Sequence, residues 1–416
     1  MKMRDSHIIR QQYFEIQFED FSDGMGVQNE IKDLFYEKLL PGIENLFDEI
    51  SQGKYAVSIE KLEIDCGSLN SSYWKEELVH ETLRQTRQEL LAQHKKEING
   101  SDPESFHSFI FFLNKGYLPW NARIDSIREL EERIADQLLL SKSYATRLKE
   151  LFKSEPGAIE RFLYNFSDTL FQNILEQLAE KKSLDRMKQF INKDKINGRQ
   201  KHIAHSLLLK VLSDDLAYPE QQFYSALPGI LDKDKNKKQP KHPETRKKES
   251  EFIYIRNAGL IILHPFLTEL FTRIGLLVDH HWKDIFSQHT AVQVLEFLGS
   301  GKEDFPEFNL SLNKILCGLD ISEPVEPIME LQASIKSECG DLLIEVIRHW
   351  SKLKNTSVET LRETFLLRNG KLTQAENGWL LHVEQKGVDV LLNSLPWGIG
   401  TIKLPWTEEK LYVEWI

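Results

Sequence analysis

Residues 162–178 read Phe-Leu-Tyr-Asn-Phe-Ser-Asp-Thr-Leu-Phe-Gln-Asn-Ile-Leu-Glu-Gln-Leu. Phe162, Leu163, Phe166, Leu170, Ile174, Leu175 and Leu178 recur at the three- and four-residue steps that place side chains on one helix face. Upstream, Ile127, Leu130, Ile134 and Leu138 repeat the pattern, so the stretch 103–231 reads as a mostly helical middle. The spacing follows the ordinary helical period and never settles into a sustained heptad, which argues against a long coiled coil.

On the N-terminal side, Phe14, Ile16 and Phe18 alternate with polar residues, as in a half-buried strand over 13–19. Val27, Ile31, Leu34, Phe35 and Leu39 then fit one helix face. Pro41 is expected to break or kink that helix. Ile43, Leu46, Phe47 and Ile50 resume the stripe. Tyr55, Val57 and Ile59, then Leu62 and Ile64 one step out of phase, read as a second strand with a bulge, closed by Cys66-Gly67. Residues 71–96 read as helix. Residues 1–100 are therefore expected to form a small β-α-β-α unit, followed by the helical middle over 101–231.

On the C-terminal side, residues 232–250 hold eight Lys or Arg against four acids, two prolines and no apolar residue. Burial does not offset the ordering entropy of such a segment, which reads as a disordered charged linker. Residues 251–416 read as a further module. Helices fit 252–275, 285–298, 309–317, 336–350 and 357–368. Trp379, Leu381 and Val383 alternate as in a strand, and a short helix follows Gly387. The end, from Gly398, reads as a hairpin with Pro405 and Thr407 in its turn. Two closing aromatics, Tyr412 and Trp415, suit a docked terminus better than a free tail. The fold class expected is α+β and predominantly helical, with a terminal β-hairpin.

Composition narrows the functions. The 416 residues suit two or three domains. A net charge of −11 lacks a basic nucleic-acid footprint. Cys66, Cys317 and Cys339 are far apart and form no CxxC, which argues against a disulfide framework or a cysteine zinc site. The N-terminus has no apolar signal region, and no stretch approaches the roughly 18 apolar residues of a membrane span.

Motifs of chemistry fail one by one. Gly299-Ser300-Gly301-Lys302 resembles the end of a phosphate-binding loop, but Glu296 and Glu303 stand where the loop needs a glycine and a magnesium-binding hydroxyl. Gly398-x-Gly400 opens like a dinucleotide fingerprint and has Lys403 in place of the third glycine. His80-Glu81 lacks the second histidine of HExxH. Asp279-His280-His281 could join His264 or His289 at a metal only if that segment is a loop, since neighbours on a helix point about 100° apart. Glu76-Glu77 and Glu131-Glu132 read as solvated charge. Asn355 or Thr356 suits a helix N-cap with Glu359 as its partner. No catalytic, cofactor-binding or metal-ligating residue is assigned.

Several strings together resemble the contractile injection system tape measure proteins. In the N-terminal part they are His7–Gln12, Leu40-Pro41-Gly42-Ile43-Glu44, Ile59–Gly67 and Phe112–Trp120. In the C-terminal part they are Tyr254–Phe266, Leu312–Gly318, Leu353–Ser357, Leu361–Phe365, Leu395-Pro396-Trp397-Gly398, Ile402–Trp406 and Tyr412–Trp415. The resemblance covers about 1–120 and 252–416. It implies a non-enzymatic part of a phage-tail-like contractile particle, lying in the growing inner tube with one end held by the spike or baseplate and stopping growth when its span is filled. The implied partners are inner-tube and spike or baseplate proteins, with room for several copies in the tube, and neither nucleic acid nor membrane insertion. Assembly is expected in the cytoplasm, with release as part of a particle left open. The alternative is an adaptor or chaperone at the baseplate or tube cap. One helix of all 416 residues would reach only about 620 Å, and the middle 121–231 about 170 Å. The expected contact residues are Trp120, Pro396, Trp397, Pro405, Trp406 and Trp415. The three C-terminal tryptophans equally suit the module's own core.

Overall fold

The structure, a computed structural model, describes residues 24–51, 64, 66–67, 73–100, 104–140, 142–193, 197–214, 216, 218–233, 252–328, 330–375 and 377–415. The expected strand at 13–19, the one at 55–64 apart from Ile64, and the linker beyond Lys233 lie outside these residues. Two compact units are present, Met1–Glu104 and Ser105–Ile416.

In the first unit, α1 (Gly24–Leu34) runs through a π turn (Phe35–Leu39) into α2 (Leu40–Ser51), and α3 spans Trp74–Gly100. Pro41 perturbs the helix without ending it. Pro41 has no N–H to give, and the Leu40 N–H just before it reaches back five residues to the Phe35 carbonyl. Leu34, Leu39 and Ile43 are buried, as are Leu78, Thr82, Thr86 and Leu90 on one face of α3. A Cβ on Gly42 would come within 2.7 Å of the Leu83 side chain, so that glycine permits close packing.

The second unit opens with eight helices: α4 (Glu104–Lys115), α5 (Ile127–Leu140), α6 (Lys142–Ser154), α7 (Pro156–Asn165), α8 (Asp168–Leu178), α9 (Lys181–Lys193), α10 (Gly198–Ser213) and α11 (Pro219–Lys233). The 162–178 stripe is divided between α7 and α8. Ser167 is extended and its Oγ accepts the Leu170 N–H, so a local N-cap stops one helix and starts the next while both keep the same core face. Phe106, Phe109, Phe112, Phe152, Phe162 and Phe223 are fully buried here, and Phe109 meets Phe166 edge-on at 5.0 Å.

The rest of the unit carries α12 (His264–Arg273), α13 (Ile285–Ser300), α14 (Ser311–Cys317), α15 (Ala333–His349) and the short α16 (Val358–Leu361), which a π turn continues through Arg362–Leu366. Seven strands join them: β1 (Ile253–Ile255), β2 (Leu277–Val278), β3 (His281–Trp282), β4 (Gly370–Ala375), β5 (Gly378–Val383), β6 (Thr401–Ile402) and β7 (Lys410–Glu414). The main sheet has the order β1-β4-β5-β7-β6. Among the described residues only β5 and β7 pair in parallel, with Leu381 opposite Val413. The crossover between them includes the 3₁₀ stretch Gly387–Ser394. The expected hairpin is β6–β7, with Ile402 opposite Leu411. The molecule is thus predominantly helical α+β.

Two local expectations are corrected, and one left open is resolved. The helix expected over 252–275 begins as β1, passes through a 3₁₀ segment (Ala258–Leu263) and becomes α-helical only at His264. That segment lies so close to the π turn that a Cβ on Gly259 would fall 1.7 Å from the Phe365 carbonyl oxygen. The N-cap before α16 is Ser357, whose Oγ accepts the Thr360 N–H, rather than Asn355 or Thr356. The Asp279-His280 pair forms the β2–β3 turn, both residues with positive φ, as a two-residue hairpin of this twist requires.

Candidate functional site

The C-terminal strings among those that prompted the resemblance meet in one core. The Trp397 Nε1 donates to the Ile262 carbonyl at 3.0 Å, and its ring meets Phe266 edge-on at 5.1 Å. The Leu395–Gly398 string therefore closes on the Tyr254–Phe266 string. Trp406 donates to the Leu316 carbonyl at 2.9 Å and packs against Trp282 and Phe271. Trp282 Nε1 and Gln288 Nε2 both donate to the Cys317 carbonyl. Trp415 is 2% exposed. All three C-terminal indoles thus spend their N–H inside the module. Pro396 and Pro405 are exposed, and Trp120 is 39% exposed.

Two buried ionic networks, which the sequence reading did not single out, hold this unit. The first joins the helical middle to the C-terminal part. Arg161 of α7 and Lys314 of α14 are both 0% exposed and share Glu307. Arg161 Nε reaches Glu307 Oε1 at 3.1 Å, and Lys314 Nζ reaches the same oxygen at 2.7 Å. Asn165 Nδ2 donates to Glu307 Oε2 at 2.9 Å. One N–H on each terminal guanidinium nitrogen goes to the carbonyls of Leu113 and Ser322, and Lys314 also donates to the Ile321 carbonyl. Burial pushes the Glu307 carboxyl up, but Lys314 and Arg161 outweigh it and hold the group below its usual range. Burial lowers Lys314, against the pull of Glu307. Gly116, at φ +82°, is forced by this seam, because any Cβ there would stand 2.6 Å from the Ile321 carbonyl oxygen.

The second network fixes the C-terminus. Arg368 Nη2 meets Asp389 Oδ1 at 2.8 Å, while Asp389 Oδ2 accepts from the Trp415 indole at 3.1 Å and from the Lys386 N–H at 2.8 Å. The Arg368 guanidinium also lies over the Trp415 ring. A smaller buried cluster joins two amides to a carboxyl: Asn257 Nδ2 donates to Glu296 Oε2 at 2.9 Å and to Asn313 Oδ1 at 2.8 Å. Burial raises the Glu296 carboxyl, with the two amides opposing.

A faint signal for the first network was present. Arg161 stands on the same helical face as Ala158, Phe162 and Asn165, and Lys314 interrupts the apolar run of α14. A long cation on an apolar face needs a buried partner. The partner's position in sequence, 146 residues away, was not deducible from spacing.

The motif candidates have structural roles. Gly301 is the left-handed C-cap of α13, its N–H bonded to the Phe297 carbonyl. Gly299–Lys302 therefore lies at the negative end of a helix dipole, the wrong end for phosphate. His80 is exposed, and Glu81 is taken by Arg84 and Gln85. His280 and His281 are exposed on the β2–β3 hairpin, and His264 Nδ1 bonds the Ile261 carbonyl. Among the described residues no group of three or more His, Cys, Asp or Glu could hold a metal ion. Glu160 accepts from Ser206 Oγ and pairs with His202 Nε2, both at 2.6 Å. Serine and histidine thus bond the carboxylate rather than each other, which is not the relay that activates a nucleophile. The cleft beside them, about 160 Å³ and lined by Phe162, Phe166, Lys201 and His205, is shallow.

His289 pins the 326–328 loop, its Nδ1 accepting the Glu326 N–H at 3.1 Å. Burial, helped by Lys314, lowers its pKa from 6.5 to about 4. In the window from 6.5 down to about 4 the unfolded chain takes up the proton first, so this contribution to stability is full above 6.5 and is lost as pH falls. Burial lowers His205 to about 4 as well. Between pH 7 and pH 5 the His289 effect alone is about 2 kcal/mol. His289→Asn, which keeps an acceptor near Nδ1, is expected to shrink the drop in Tm between those pH values. An unchanged drop would contradict the assignment.

The second unit closes its C-terminal half by aromatic and ionic docking. The family model for contractile injection system tape measure proteins matches residues 6–245 and 181–415. The chain belongs to that family, and with it to the structural proteins of contractile injection systems that associate with the tube and other particle components. The match takes in the helical middle as well as the two ends. Neither a curated protein nor a solved structure matches the chain. Among the described residues no helix is long and apolar enough to cross a membrane.

Proposed function

We propose that this chain is the tape measure itself: it sets inner-tube length, is held at one end by the spike or baseplate, and works without catalysis. The observation that carries the reading is the family match along almost the whole chain. It is supported by the way the C-terminal family-like strings combine into one closed body that could serve as an anchor. Cytoplasmic assembly, more than one copy per tube, and contacts through the exposed Trp120, Pro396 and Pro405 belong to the same proposal.

Length-setting is tested in the segment between the two bodies of the second unit. Inserting about 30 residues of helix-forming sequence after Lys233 is expected to lengthen the tube by about 45 Å. Tube length in purified particles is read by electron microscopy. Tubes of unchanged length would favour an adaptor or chaperone at the baseplate or tube cap. That second reading draws on one observation: the middle is folded around its own core and is not extended.

A further inference from the structure

We infer that the seam between the helical middle and the C-terminal body is a clasp that opens when the chain is loaded into a growing tube. The inference rests on the tape-measure reading and explains how a chain with a compact middle could reach further.

The seam has the chemistry of a separable interface. Its centre is Arg161, Glu307 and Lys314 with the carbonyls of Leu113, Ile321 and Ser322. In a contact that never opens, well-packed apolar side chains hold as well as or better than a buried ion cluster. On opening, ions and carbonyls regain water, whereas apolar surface would lose its shelter. The seam also sets two basic side chains, Arg161 and Lys314, against one carboxylate, a mismatched cluster that opening returns to solvent.

Each body keeps its own core when the seam parts. One core is built from α4–α11 and the other from residues after 252. Among the described residues, the buried apolar side chains that cross are Tyr117, which belongs to the C-terminal core, and Phe308, which meets Phe112 at 5.7 Å in the helical core. Separation would therefore expose these two rings and that of Phe111, which packs partly buried against the C-terminal core, and leave both cores closed. The bodies are joined covalently through residues 234–251, a length that spans at most about 60 Å when extended. Opening thus adds reach without unfolding a helix.

The test locks the seam in the full-length chain. Gly157 of α7 faces the other body, and a Cβ there would lie 3.7 Å from Pro324 Cδ. The pair Gly157→Cys and Pro324→Cys is oxidised and its disulfide verified on a non-reducing gel, with each single substitution as control. A second lock, a short bismaleimide between Asp125→Cys and Arg256→Cys, replaces the exposed ion pair of 2.7 Å. Thermal melts establish that the locked chains fold. The expected result is at least about a tenfold loss of full-length particles on locking, restored by reductant for the disulfide alone. Locked chains that assemble at the parental yield and tube length would overturn the clasp. If insertions after Lys233 leave tube length unchanged while locking still blocks assembly, the tape reading fails and the clasp stands.

Discussion

Glu307→Ala is expected to cost about 3–5 kcal/mol, enough to leave much of the chain unfolded at moderate temperature. The loss is large because the carboxylate serves three donors. Without it, Lys314 keeps only the Ile321 carbonyl, Arg161 loses the partner of its Nε, and Asn165 Nδ2 keeps only the Arg161 carbonyl. Two basic groups then remain without a carboxylate in a site where Arg161 and Lys314 have no exposure. Burial already lowers Lys314. In the variant a neutral Lys314 is the tolerable form, so raising the pH from neutral to about 9 should recover part of the deficit. Replacing all three charges by apolar residues of similar size is expected to cost far less than Glu307→Ala alone, because no ion is left unpaired. Urea unfolding followed by tryptophan fluorescence reads these differences. An alanine variant with the parental midpoint would mean that the three charges are not desolvated together.

The same seam shows what could be read from the chain and what could not. Periodicity located α13 and α15 and the alternation of β5, because each is long enough or regular enough to express its period. It missed β1, since Ile253-Tyr254-Ile255 is too short to separate a strand from the start of the apolar run that follows. It carried the 162–178 stripe across Ser167, because a cap changes the chain's path without changing which face is apolar. The α16 cap expected from the sequence falls one or two residues early because Asn355, Thr356 and Ser357 are all competent acceptors, and only the backbone decides which one stands at the helix start. The three C-terminal tryptophans were visible as anchors. That they anchor strings of this same chain to one another follows from carbonyl positions at Ile262 and Leu316 and from Asp389, none of which has a sequence signature. Charged pairs 146 residues apart are the extreme of this: residue type announces the need for a partner, and only the fold supplies it.

Asp389→Ala is expected to release the C-terminal strand, at a cost of about 3–5 kcal/mol. Asp389 is the acceptor through which three segments meet: Arg368 after the π turn, the Lys386 N–H at the start of the 3₁₀ crossover, and Trp415 beside the chain end. Removing it leaves Arg368, which is fully buried, with the Thr364 and Glu384 carbonyls alone, and strands a buried indole N–H. Asp389→Asn keeps one acceptor for the indole and loses the charge, so it should fall between parent and alanine. Arg368→Lys should also fall short of the parent, because an ammonium neither forks across both carboxylate oxygens nor lies flat on the Trp415 ring. The damage should be local first: β7 pairs with both β5 and β6, so its loss opens the hairpin and the parallel edge while the helical middle keeps its own core. Hydrogen exchange across Lys410–Glu414 distinguishes the two outcomes. Rapid exchange there with protection retained in α10 is the expected result. Unchanged protection of β7 would show that strand pairing alone holds the terminus and that the buried Arg368–Asp389 pair is dispensable. Were the C-terminal body the anchored end of the tape, the same variant would fail to seat in particles while still folding its helical middle, which ties this ion pair to assembly through the docking of the last strand.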